Sequence, residues 1–555
     1  MRHTAPQATG ASMADDASSE MTAEQKKAMR DEKKKQKEAE KAAKEARKRE
    51  EQEALKRKQD ELEALSKDIE FLSVEEGHQP TQLFGTYKVI RSACASTGSG
   101  RTFTPIESLG TSLEGQHVWC RARVANVRGK GKAAFLVLRQ MRGTAQALVE
   151  ESDIVPRDMI KWISKEITAE SIVDVFGLVK LAEVKSCTVS DVELFVSRLY
   201  LVSKADPLPF LLEDAARPAH VDGAHVLRDT RLDNRAIDLR VPAHKAIMRV
   251  QGGVCALFRE HLSAKSFIEI HSPKLISGAS EGGANVFQLD YFGLPACLAQ
   301  SPQLYKQMAI CADFERVFEI GHVFRAEKSN THRHLTEFIG LDIEMQIDEH
   351  YMEVMRTLDH MFVAIFDGLT QHFRADLDTV AAQYPFEPLR YKPAGENIIL
   401  EFPEGVRLLR EAGYEIGDHD DMNTELERAL GSIVKEKYDT DFFILCSFPS
   451  AVRPFYTMPS PTNPDYSNSF DVFIRGEEIV SGAQRIHVPE MLIERAKGCG
   501  IDLDTIKDYV DAFRYGAPPH GGAGVGLERV VMLYLALPNV RECCLFARDP
   551  KRLTP

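Results

Sequence analysis

The stretch "VFRAEKSNTHRHLTEF" at residues 323–338 decides how the second half of this chain is built. An apolar run ends near Val323 and another opens at Phe338, so the segment predicts a strand, a polar loop and a returning strand. Arg325, near the end of the first strand, could bind a phosphate oxygen and a carboxylate at once, which a planar guanidinium does in bidentate fashion. The segment collects seven charged or imidazole side chains, namely Arg325, Glu327, Lys328, His332, Arg333, His334 and Glu337.

The composition indicates a large globular protein. The 555 residues predict three or four domains, and 43% hydrophobic residues with 8% aromatic residues are ordinary values for a chain with a sizeable core. The 10 cysteines are scattered and form no C-x-x-C motif, which predicts buried, reduced thiols in a cytosolic protein. We find no apolar stretch of about 18 residues and no hydrophobic signal core, so we expect neither a membrane span nor a secretory signal.

The charge is concentrated near the N-terminus. The whole chain carries −13, yet residues 26–58 carry 15 Lys and Arg against 8 Asp and Glu. Residues 23–67 contain no Pro or Gly and favour a helix, whereas residues 1–22 are rich in Ala, Ser and Thr and predict disorder. Two interpretations of this extension (residues 1–75) stay open: a solvated helix or disordered tail, and a helix that follows nucleic-acid phosphates. The helix face that would carry the second role holds Lys37, Lys41, Lys44 and Lys48.

Residues 76–205 predict a five-stranded β-barrel. A helical segment at 156–164 separates the third and fourth strands, which is the order of an OB-fold, and such barrels bind exposed bases on one face. Arg121, Phe135 and Gln140 could form that face, although Phe135 could equally belong to the barrel core. The predicted strands are 117–128, 133–140, 144–150, 171–180 and 191–203.

The remainder predicts an α+β body. Residues 206–240 are rich in Pro, Asp and Arg and predict a hinge, and from residue 241 to 555 apolar strands alternate with helices. Residues 375–440 contain helical segments and loops that indicate little about chemistry.

Two short clusters could bind a small molecule. Small residues surround Glu281 in "SGASEGGANVF" (277–287), which predicts either a surface loop or a mobile loop that places a carboxylate over a substrate ammonium. Gln303 and Lys306 project from a predicted helix start that Ser301 caps. A capped helix start alone is a weak signal.

Two further clusters lie closer to the C-terminus. Asp471 and Glu478 flank a predicted hairpin turn, so their carboxylates could share Mg²⁺ with nucleotide phosphates. The glycine run in "PPHGGAGVGLERVVMLYLAL" (518–537) predicts a helix opening that aims Arg529, with room for a flat ligand. It satisfies no G-x-G-x-x-G pattern and the chain has no Walker motif, while His332 and His334 lack the partners of a zinc site.

Three ordered segments then carry a resemblance. Residues 249–275, 318–338 and 522–533 are similar to motifs 1, 2 and 3 of the class II aminoacyl-tRNA synthetases. "RLDNRAIDLR" (231–240) and the barrel resemble the subgroup that charges Asp, Asn and Lys, and "SPQLYKQM" and "EEIVSGAQR" resemble its cytosolic, eukaryotic-type aspartyl members. The similarity runs from about residue 80 to the C-terminus.

That resemblance implies the fold and the reaction. The body would be a class II catalytic domain, an antiparallel sheet flanked by helices, and motif 1 with its Pro273 would form a homodimer interface. L-aspartate and ATP would give aspartyl-adenylate, and the aspartyl group would pass to the 3′ end of tRNA(Asp) in the cytoplasm. Membership of a larger synthetase assembly is left open.

The resemblance also implies the role of each site residue. The catalytic residues would be Arg325, Arg529 and Glu478. The ATP site would contain Arg325, Glu327, Arg333, His334, Phe338, Glu478, Gly526, Leu527, Glu528 and Arg529. The aspartate site would contain Glu281, Gln303, Lys306, Arg325, Asp342, Ser481 and Arg485. Mg²⁺ would be held by Asp471, Glu478 and Ser481, the anticodon by Arg121, Phe135 and Gln140, and the tRNA backbone by Lys37, Lys41, Lys44 and Lys48.

Charge supports aspartate as the substrate. Lys306 and Arg485 would face the side chain of the amino acid, and a neutral asparagine would leave these desolvated cations uncompensated. Asparagine-charging relatives lack the lysine. The alternatives are an asparaginyl or non-discriminating synthetase, and a synthetase-like protein that binds tRNA without catalysis.

Overall fold

The computed structural model describes residues 83–87, 101–277 and 286–555, together with four single residues of the N-terminal extension. Those four, Ala46, Arg49, Glu53 and Lys56, are helical and exposed. The predicted roles of Glu281 and of Lys37, Lys41, Lys44 and Lys48 fall outside the described residues. The chain divides into two compact units between Pro207 and Leu208.

The first unit is the predicted five-stranded barrel. Its strands pair in the order β5-β2-β3-β4-β6, and β6 closes the barrel onto β5. The helix α1 lies between the third and fourth barrel strands, as the sequence predicts, and a short strand β1 pairs with β6. The elements are β1 Phe84–Thr86, β2 His117–Lys130, β3 Ala133–Gln140, β4 Gly143–Glu150, α1 Arg157–Glu166, β5 Ile172–Leu181 and β6 Val192–Ser203.

Alternation of side chains fixes which face of each barrel strand is inside. Leu136 and Leu138 of β3 are fully buried, and Ala145 and Ala147 of β4 face the same core. Because successive side chains of a strand point to opposite faces, Phe135 points outward and 37% of its surface is exposed. The structure therefore excludes the barrel-core interpretation of Phe135.

The second unit carries the remaining elements. Its helices are α2 Leu212–Ala216, α3 Arg228–Asp233, α4 Arg235–Asp238, α5 Pro242–Ala264, α6 Gln303–Cys311, α7 Met352–His372, α8 Arg374–Gln383, α9 Phe402–Glu411, α10 Thr424–Tyr438, α11 Pro489–Gly498, α12 Lys507–Arg514 and α13 Leu527–Tyr534. Its strands are β7 Ile268–Glu269, β8 Leu275–Ile276, β9 Gln288–Tyr291, β10 Leu294–Leu298, β11 Arg316–Phe324, β12 Glu337–Gln346, β13 Ile398–Glu401, β14 Phe442–Cys446, β15 Ser469–Ile474, β16 Glu477–Gln484 and β17 His520–Gly526.

An eight-stranded sheet forms the centre of the second unit. Its order is β13-β14-β15-β16-β17-β12-β11-β7, and its six central strands are antiparallel. The two edge strands, β13 and β7, pair in parallel with their neighbours. A smaller sheet has the order β8-β10-β9. The mixed fold and its helix-flanked antiparallel sheet confirm the predicted class.

Long amphipathic helices cover the large sheet. Phe258 of α5 contacts Phe318 of β11 edge to face, with ring centroids 5.7 Å apart. Phe362 and Phe366 of α7 pack against Phe442 of β14 at 5.7 and 5.4 Å. Burial of such side chains is the main favourable term in folding, so these helices hold the sheet in the shape that the site requires.

Residues 208–240 belong to the second unit. Arg231 is hydrogen-bonded to both carboxylate oxygens of Glu542, at 2.6 and 3.0 Å. Arg235 is 1% exposed and donates to the carbonyl of Cys544 at 2.6 Å, and the buried Asp238 contacts His244. These contacts attach residues 231–238 to the second unit, so the predicted hinge is confined to the residues that precede them.

The glycine run occupies a different element from the one expected. Gly521, Gly522 and Gly524 lie in strand β17, and the helix α13 begins only at Leu527. The sequence analysis placed the glycine run at a helix opening. This is right for Gly526, which directly precedes the helix, and wrong for the other three, whose partners are strands β12 and β16.

Among the described residues, no helix combines the length and the apolar character that crossing a bilayer requires.

Candidate active site

A cavity of about 360 Å³ lies in the second unit, on the face formed by β11, β12, β16 and β17. Three predicted site residues do not line it: Lys306 and Asp471 lie behind its wall, and Leu527 is packed in the hydrophobic core. The predicted residues that line it are Gln303, Arg325, Glu327, Arg333, His334, Phe338, Asp342, Glu478, Ser481, Arg485, Gly526, Glu528 and Arg529.

Strand register brings side chains from distant parts of the chain together. Asp342 on β12 lies opposite Gly524 on β17, and Gly524 lies opposite Ser481 on β16. Ser481 in turn lies opposite Asp471 on β15. Three adjacent strands, β12, β17 and β16, thus deliver this part of the cavity floor. Asp471 lies behind it on β15, opposite Ser481 of the same predicted hairpin (470–485).

The glycines of β17 make room for carboxylates. A Cβ atom at Gly522 would lie 2.2 Å from Oε2 of Glu344, far inside van der Waals contact. At Gly524 the nearest atom would be Oδ1 of Asp342 at 3.2 Å. The glycine run therefore exists because β12 sends two acidic side chains across its neighbour.

Lys306 lies behind the wall at one end of the cavity, next to Asp342, Glu344 and Arg485. This is the end where the resemblance places the amino acid, and we call it the amino-acid end. Its side chain is 2% exposed and its ammonium lies 3.3 Å from Oε2 of Glu344. An ammonium has three protons to donate. Nζ donates them to Oδ1 of Asp342 (3.0 Å), the carbonyl of Ala523 (3.1 Å) and the carbonyl of Ile343 (3.2 Å).

Arg485 lines the same end and is fixed by Glu344. Its Nε donates to Oε1 of Glu344 at 2.9 Å, and its Nη2 donates to Oε1 of Gln303 at 3.3 Å. Burial alone would raise the pKa of Glu344, but Arg485 and Lys306 outweigh burial and hold it below the usual value. Nη1 of Arg485 donates to none of the described residues, so this nitrogen can meet a ligand.

A chain of amide, imidazole and phenol groups supports this end. Nδ1 of His520 faces the carbonyl of Pro518 at 2.8 Å and must donate to it, so Nε2 accepts from Nε2 of Gln307 at 3.0 Å. Oε1 of Gln307 then accepts from Nε2 of Gln303 (2.9 Å) and from the hydroxyl of Tyr509 (3.1 Å). Burial lowers the pKa of His520, so its imidazole is neutral.

The charges at the amino-acid end balance each other. Lys306 and Arg485 supply two positive charges, while Asp342 and Glu344 supply two negative ones. The aspartate site predicted from the sequence contains Asp342 but not Glu344. A ligand therefore meets an arginine held in place by a carboxylate, with Lys306 as a buried counter-charge.

The opposite end suits a purine nucleotide. The guanidinium of Arg325 lies 5.4 Å from the ring centre of Phe338, and its buried Nε has no hydrogen-bond partner among the described residues. Nη1 of Arg529 donates to the carbonyl of Glu478 at 3.2 Å. An aromatic face and two arginines are thus available to a flat base and its phosphates.

Arg333 is held in place by a residue of the 375–440 segment, for which the sequence analysis predicted no role. Its guanidinium is paired with Glu427 of α10, and burial raises the pKa of Glu427 to about 7 although Arg333 opposes the rise. The adjacent Arg428 donates to Glu477 at 2.6 Å, and His332 contacts the same carboxylate. The helix α10 therefore supports the loop between β11 and β12.

Glu528 and His334 complete the nucleotide end. Both carboxylate oxygens of Glu528 accept from the backbone N–H of Ile339 at 3.2 Å, and burial raises the pKa of Glu528 to about 7. Burial, with the nearby Arg529 and Arg333, lowers the pKa of His334.

The proposed metal ligands meet an arginine. Asp471 accepts from Nη1 and Nη2 of Arg453 at 3.0 and 2.8 Å, and Nη1 also donates to the hydroxyl of Ser481 at 2.8 Å. Burial raises the pKa of Asp471 to about 6, which Glu478 reinforces and Arg453 opposes. Among the described residues, no three His, Cys, Asp or Glu side chains form a group able to hold a metal.

The first unit brings two of the three predicted anticodon residues together, because Nε2 of Gln140 donates to the backbone carbonyl of Arg121 at 3.3 Å, whereas Phe135 lies apart from them. Arg121 is on the outer face and is bound to Asp174 through two hydrogen bonds of 2.6 and 2.8 Å. Gln140 has the inward parity of β3 and accepts from the backbone N–H of Ile106 at 2.9 Å. It also lies five residues along the strand from Phe135, about 16 Å at 3.3 Å per residue. The grouping is corrected accordingly.

Other polar side chains accompany Phe135 on the outer face. On β4, Leu148 is directly opposite Phe135 and Gln146 is opposite Val137. Nε2 of Gln146 donates to Oε1 of Glu193 on β6 at 2.7 Å. An exposed aromatic ring and a half-buried amide thus share the outer face of two adjacent strands, and single-stranded bases stack on such rings in OB-folds.

The sequence analysis missed two residues of the site, Glu344 and Arg453, and only the first has a recognisable sequence signal. Glu344 could have been found, since it lies two positions after Asp342 in a predicted strand and must share its face. Arg453 lies between Val452 and Pro454 in a segment without a recognised pattern, and its partners are 18 and 28 residues away. No local signal identifies it.

Comparisons with known proteins agree with this geometry. The family model described as tRNA synthetases class II (D, K and N) matches residues 227–550, and the OB-fold nucleic acid binding domain matches residues 118–202. These two ranges lie in the second and first unit, respectively.

Individual relatives are similar over most of the chain. The human cytoplasmic aspartate–tRNA ligase is 56% identical over 462 residues, which cover 82% of this chain and 92% of the human protein. The aspartyl-tRNA synthetase from Entamoeba histolytica has a TM-score of 0.79 at 45% identity, covering 87% of this chain and 99% of the other. Asparaginyl-tRNA synthetase from Pyrococcus horikoshii, complexed with asparaginyl-adenylate, has a TM-score of 0.73 at 29% identity, covering 82% and 99%.

Proposed function

The chain belongs to the class II tRNA synthetases of the D, K and N group, and we propose that it joins L-aspartate to tRNA(Asp) while ATP is converted to AMP and diphosphate. The reaction class is an aminoacyl-tRNA ligase. Identity of 56% to a cytoplasmic aspartate–tRNA ligase over 82% of the chain is the observation that supports this conclusion. We place the protein in the cytoplasm, where its named relatives act.

The amino-acid end of the cavity favours a substrate with an acidic side chain. Arg485 lines the cavity, and Glu344 and Gln303 hold its Nε and Nη2, which leaves Nη1 for a ligand. A carboxylate could accept from Nη1 without breaking these bonds, and a charge-assisted hydrogen bond is about twice as strong as a neutral one. Lys306 acts from behind by keeping Asp342 and Glu344 from repelling the substrate.

The proposed aspartate site keeps its other members. Gln303, Ser481 and Arg325 line the cavity, so they can contact the ammonium and α-carboxylate of the substrate. Glu281 retains the role that the resemblance implies, closure over the ammonium.

We assign the nucleotide to the opposite end. Phe338 would stack against the adenine ring while Arg529 covers its other face, and Glu327 with the backbone near His334 would read the adenine edge. Arg333 would bind the γ-phosphate. Gly526, Leu527 and Glu528 would shape the floor, Leu527 only through its backbone because its side chain is in the core.

The first step needs no acid–base group. In-line attack of the α-carboxylate on the α-phosphorus depends on positioning and on neutralising charge, which Arg325 would supply from its unpaired, buried Nε side. Arg529 and Glu478 would hold the departing diphosphate and the cation that accompanies it.

The donor set is suited to Mg²⁺. Glu478 lines the cavity, and Asp471 and Ser481 supply further oxygens, the ligand type that this ion prefers. Two carboxylates and a hydroxyl would need oxygens from ATP to complete the shell. When bound, Mg²⁺ would neutralise charge on the phosphates.

The barrel would bind the anticodon through its outer face. Phe135 is exposed and could stack against a base, and the amide of Gln146 beside it could read a base edge. Arg121 would contribute only by leaving Asp174. The extension, through Lys37, Lys41, Lys44 and Lys48, would follow the tRNA backbone.

Exchange kinetics test the amino-acid assignment. Exchange of labelled diphosphate into ATP should require aspartate, whereas asparagine should support it at least about 100-fold less efficiently. Comparable exchange with asparagine would establish a non-discriminating enzyme instead. Arg325→Ala should abolish exchange and leave tRNA binding nearly intact, because Arg325 is in the second unit and acts on the phosphate. No exchange with any amino acid in the unmodified chain would indicate a tRNA-binding protein without catalysis.

A further inference from the structure

Arg453 was absent from every sequence-based assignment, yet it occupies the centre of the proposed metal site. Two of the three groups assigned to Mg²⁺, Asp471 and Ser481, are bound to the same guanidinium. The third, Glu478, contacts Arg529 instead, at 3.7 Å. A cation-binding pair is therefore already occupied by a cation that belongs to the chain.

The guanidinium is built into this position. Its carbon lies 3.9 Å from the ring centre of Phe448, and the side chain is 9% exposed. Nε is buried and has no hydrogen-bond partner within the part of the chain that the structure describes. Arg453 also lines the cavity, so a ligand in the cavity would lie beside it.

Competition follows from the geometry. Each oxygen of Asp471 accepts from one nitrogen of Arg453, which is the bidentate arrangement that satisfies both partners best. A divalent cation that approached the empty cavity would have to displace the guanidinium and leave it buried without a counter-charge. ATP changes this balance, because its phosphates offer the guanidinium a new anionic partner.

We propose that Arg453 takes the place of the metal between Asp471 and Ser481 while the cavity is empty, so that this pair binds a divalent cation only together with ATP. Arg453 is then a gate against free cations and a phosphate contact once the nucleotide is bound. The proposal rests on the proposed function only in taking ATP as the nucleotide. It holds whichever amino acid the enzyme activates.

Manganese binding without nucleotide tests the first half. Free Mn²⁺ is followed by electron paramagnetic resonance during titration of the full chain. The unmodified protein and Asp471→Asn should bind Mn²⁺ equally, because Asp471 is not available. Arg453→Met should bind at least about tenfold more tightly, and Arg453→Met combined with Asp471→Asn should lose this gain. Arg390→Met, which frees Asp439 from a surface ion pair, is the matched control and should gain nothing.

Nucleotide tests the second half. With a non-hydrolysable ATP analogue present, the unmodified protein should bind Mn²⁺ more tightly than Asp471→Asn by about tenfold or more. If Arg453→Met does not fold, Arg453→Lys keeps the charge without the bidentate arrangement, and a smaller gain in nucleotide-free binding is expected. Tighter nucleotide-free binding by the unmodified protein than by Asp471→Asn would overturn the proposal, as would unaltered binding in both Arg453 variants. Neither outcome depends on which amino acid supports exchange.

Discussion

Many buried ionisable side chains among the described residues meet a partner of opposite charge, and the partner decides what each can do. Glu344 keeps its charge between Arg485 and Lys306, whereas Glu528 is buried against backbone N–H groups, its own and that of Ile339. Neutral hydrogen bonds compensate only in part for the lost hydration of a carboxylate. The first carboxylate is therefore a permanent charge, while the second takes up a proton.

Glu528 gives a pH-dependent prediction. Its folded-state pKa is about 7 against a usual value of 4.5, so the unfolded chain releases this proton first as pH rises. Stability from this group is present below about pH 4.5 and is lost progressively up to about pH 7. Glu528→Gln keeps the shape without the titration, and should unfold like the unmodified protein at pH 5 but be more stable at pH 8 by about 2–3 kcal/mol. Thermal unfolding at both pH values measures this.

Its control is Glu494→Gln, at an exposed position of α11. This variant should follow the unmodified protein at both pH values. If Glu528→Gln changed the stability to unfolding equally at pH 5 and pH 8, packing and not proton uptake would explain the change.

Individual site residues were predictable in proportion to how local their signal is. Asp471, Glu478 and Ser481 came from one predicted hairpin. The structure places Asp471 directly opposite Ser481, and a register shift between Val472 and Phe473 interrupts the alternation before Glu478. Three further residues contact the site only through long-range tertiary contacts, namely Arg453, Gln307 and His520. No single segment of sequence predicts which strands are neighbours, so these contacts could not be predicted. Lys306 was correctly found on a helix start, but the sequence could not show that three acceptors enclose it.

At the scale of elements, the loop between β11 and β12 is fastened from the C-terminal end of the chain. Arg541 is 4% exposed and donates to Oδ1 of Asn330 at 2.5 Å and to the carbonyl of Thr331 at 3.0 Å. The backbone N–H of Val540 donates to the carbonyl of His332 at 2.8 Å. The loop that carries Arg325 and Arg333 is thus anchored on its outer side.

Loosening that anchor should affect nucleotide use selectively. Arg541→Ala removes the contacts to Asn330 and Thr331, so Arg333 and His334 lose their fixed positions. In diphosphate exchange, kcat/KM for ATP should fall by about 10- to 100-fold through a higher KM, while KM for aspartate changes little. Arg514→Ala, at an exposed ion pair on α12, is the control and should leave both values unchanged. Equal loss for both substrates would assign Arg541 a purely structural role.

The positions of the strands and helices along the chain were more predictable than the contacts between them. Predicted barrel strands agree with the observed ones within one or two residues because alternation and turn residues are local signals. The sequence analysis predicted helical segments in 375–440, the region that contains α10. It did not predict that α10 supports the site, because Glu427 and Arg333 are 94 residues apart in the sequence. The position of the glycine run was mispredicted for the same reason. Gly522 and Gly524 leave space for carboxylates of β12, a strand that is distant in the sequence.

At the scale of the whole molecule, one edge of the large sheet is open. The edge strand β7 lies within motif 1 and exposes 47% of Ile268, and Leu275 of β8 is 49% exposed. An exposed apolar edge strand is a template for pairing with a second chain. We propose that the homodimer forms through this edge, with Pro273 beside it.

Charge on that edge should separate the subunits. Ile268→Lys places an ammonium in the proposed interface, so sedimentation should show a monomer at concentrations where the unmodified protein is a dimer. Ile399→Lys, on the opposite edge strand β13 and also exposed, is the matched control and should remain dimeric. A dimer in the first variant, or a monomer in both, would contradict an interface at β7.

Removal of the basic extension should affect tRNA alone. Deleting residues 1–70 removes the local positive charge of residues 26–58 from an otherwise acidic protein. The affinity for tRNA should fall and its dependence on salt should flatten, because fewer phosphate contacts release fewer counterions. Binding titrations at several salt concentrations measure both, and aspartate-dependent exchange should be unaltered. Unchanged tRNA affinity at low salt would return the segment to a solvated tail.

The neutral imidazole of His520 has a consequence for translation in a changing cell. Taking up a proton would force Nε2 to give up the Gln307 amide, which in turn holds Gln303 and Tyr509. Burial holds the pKa of this ring below the ordinary histidine value of about 6.5, so mild acidification leaves it neutral. The accuracy with which aspartate reaches its codons should accordingly be insensitive to such acidification.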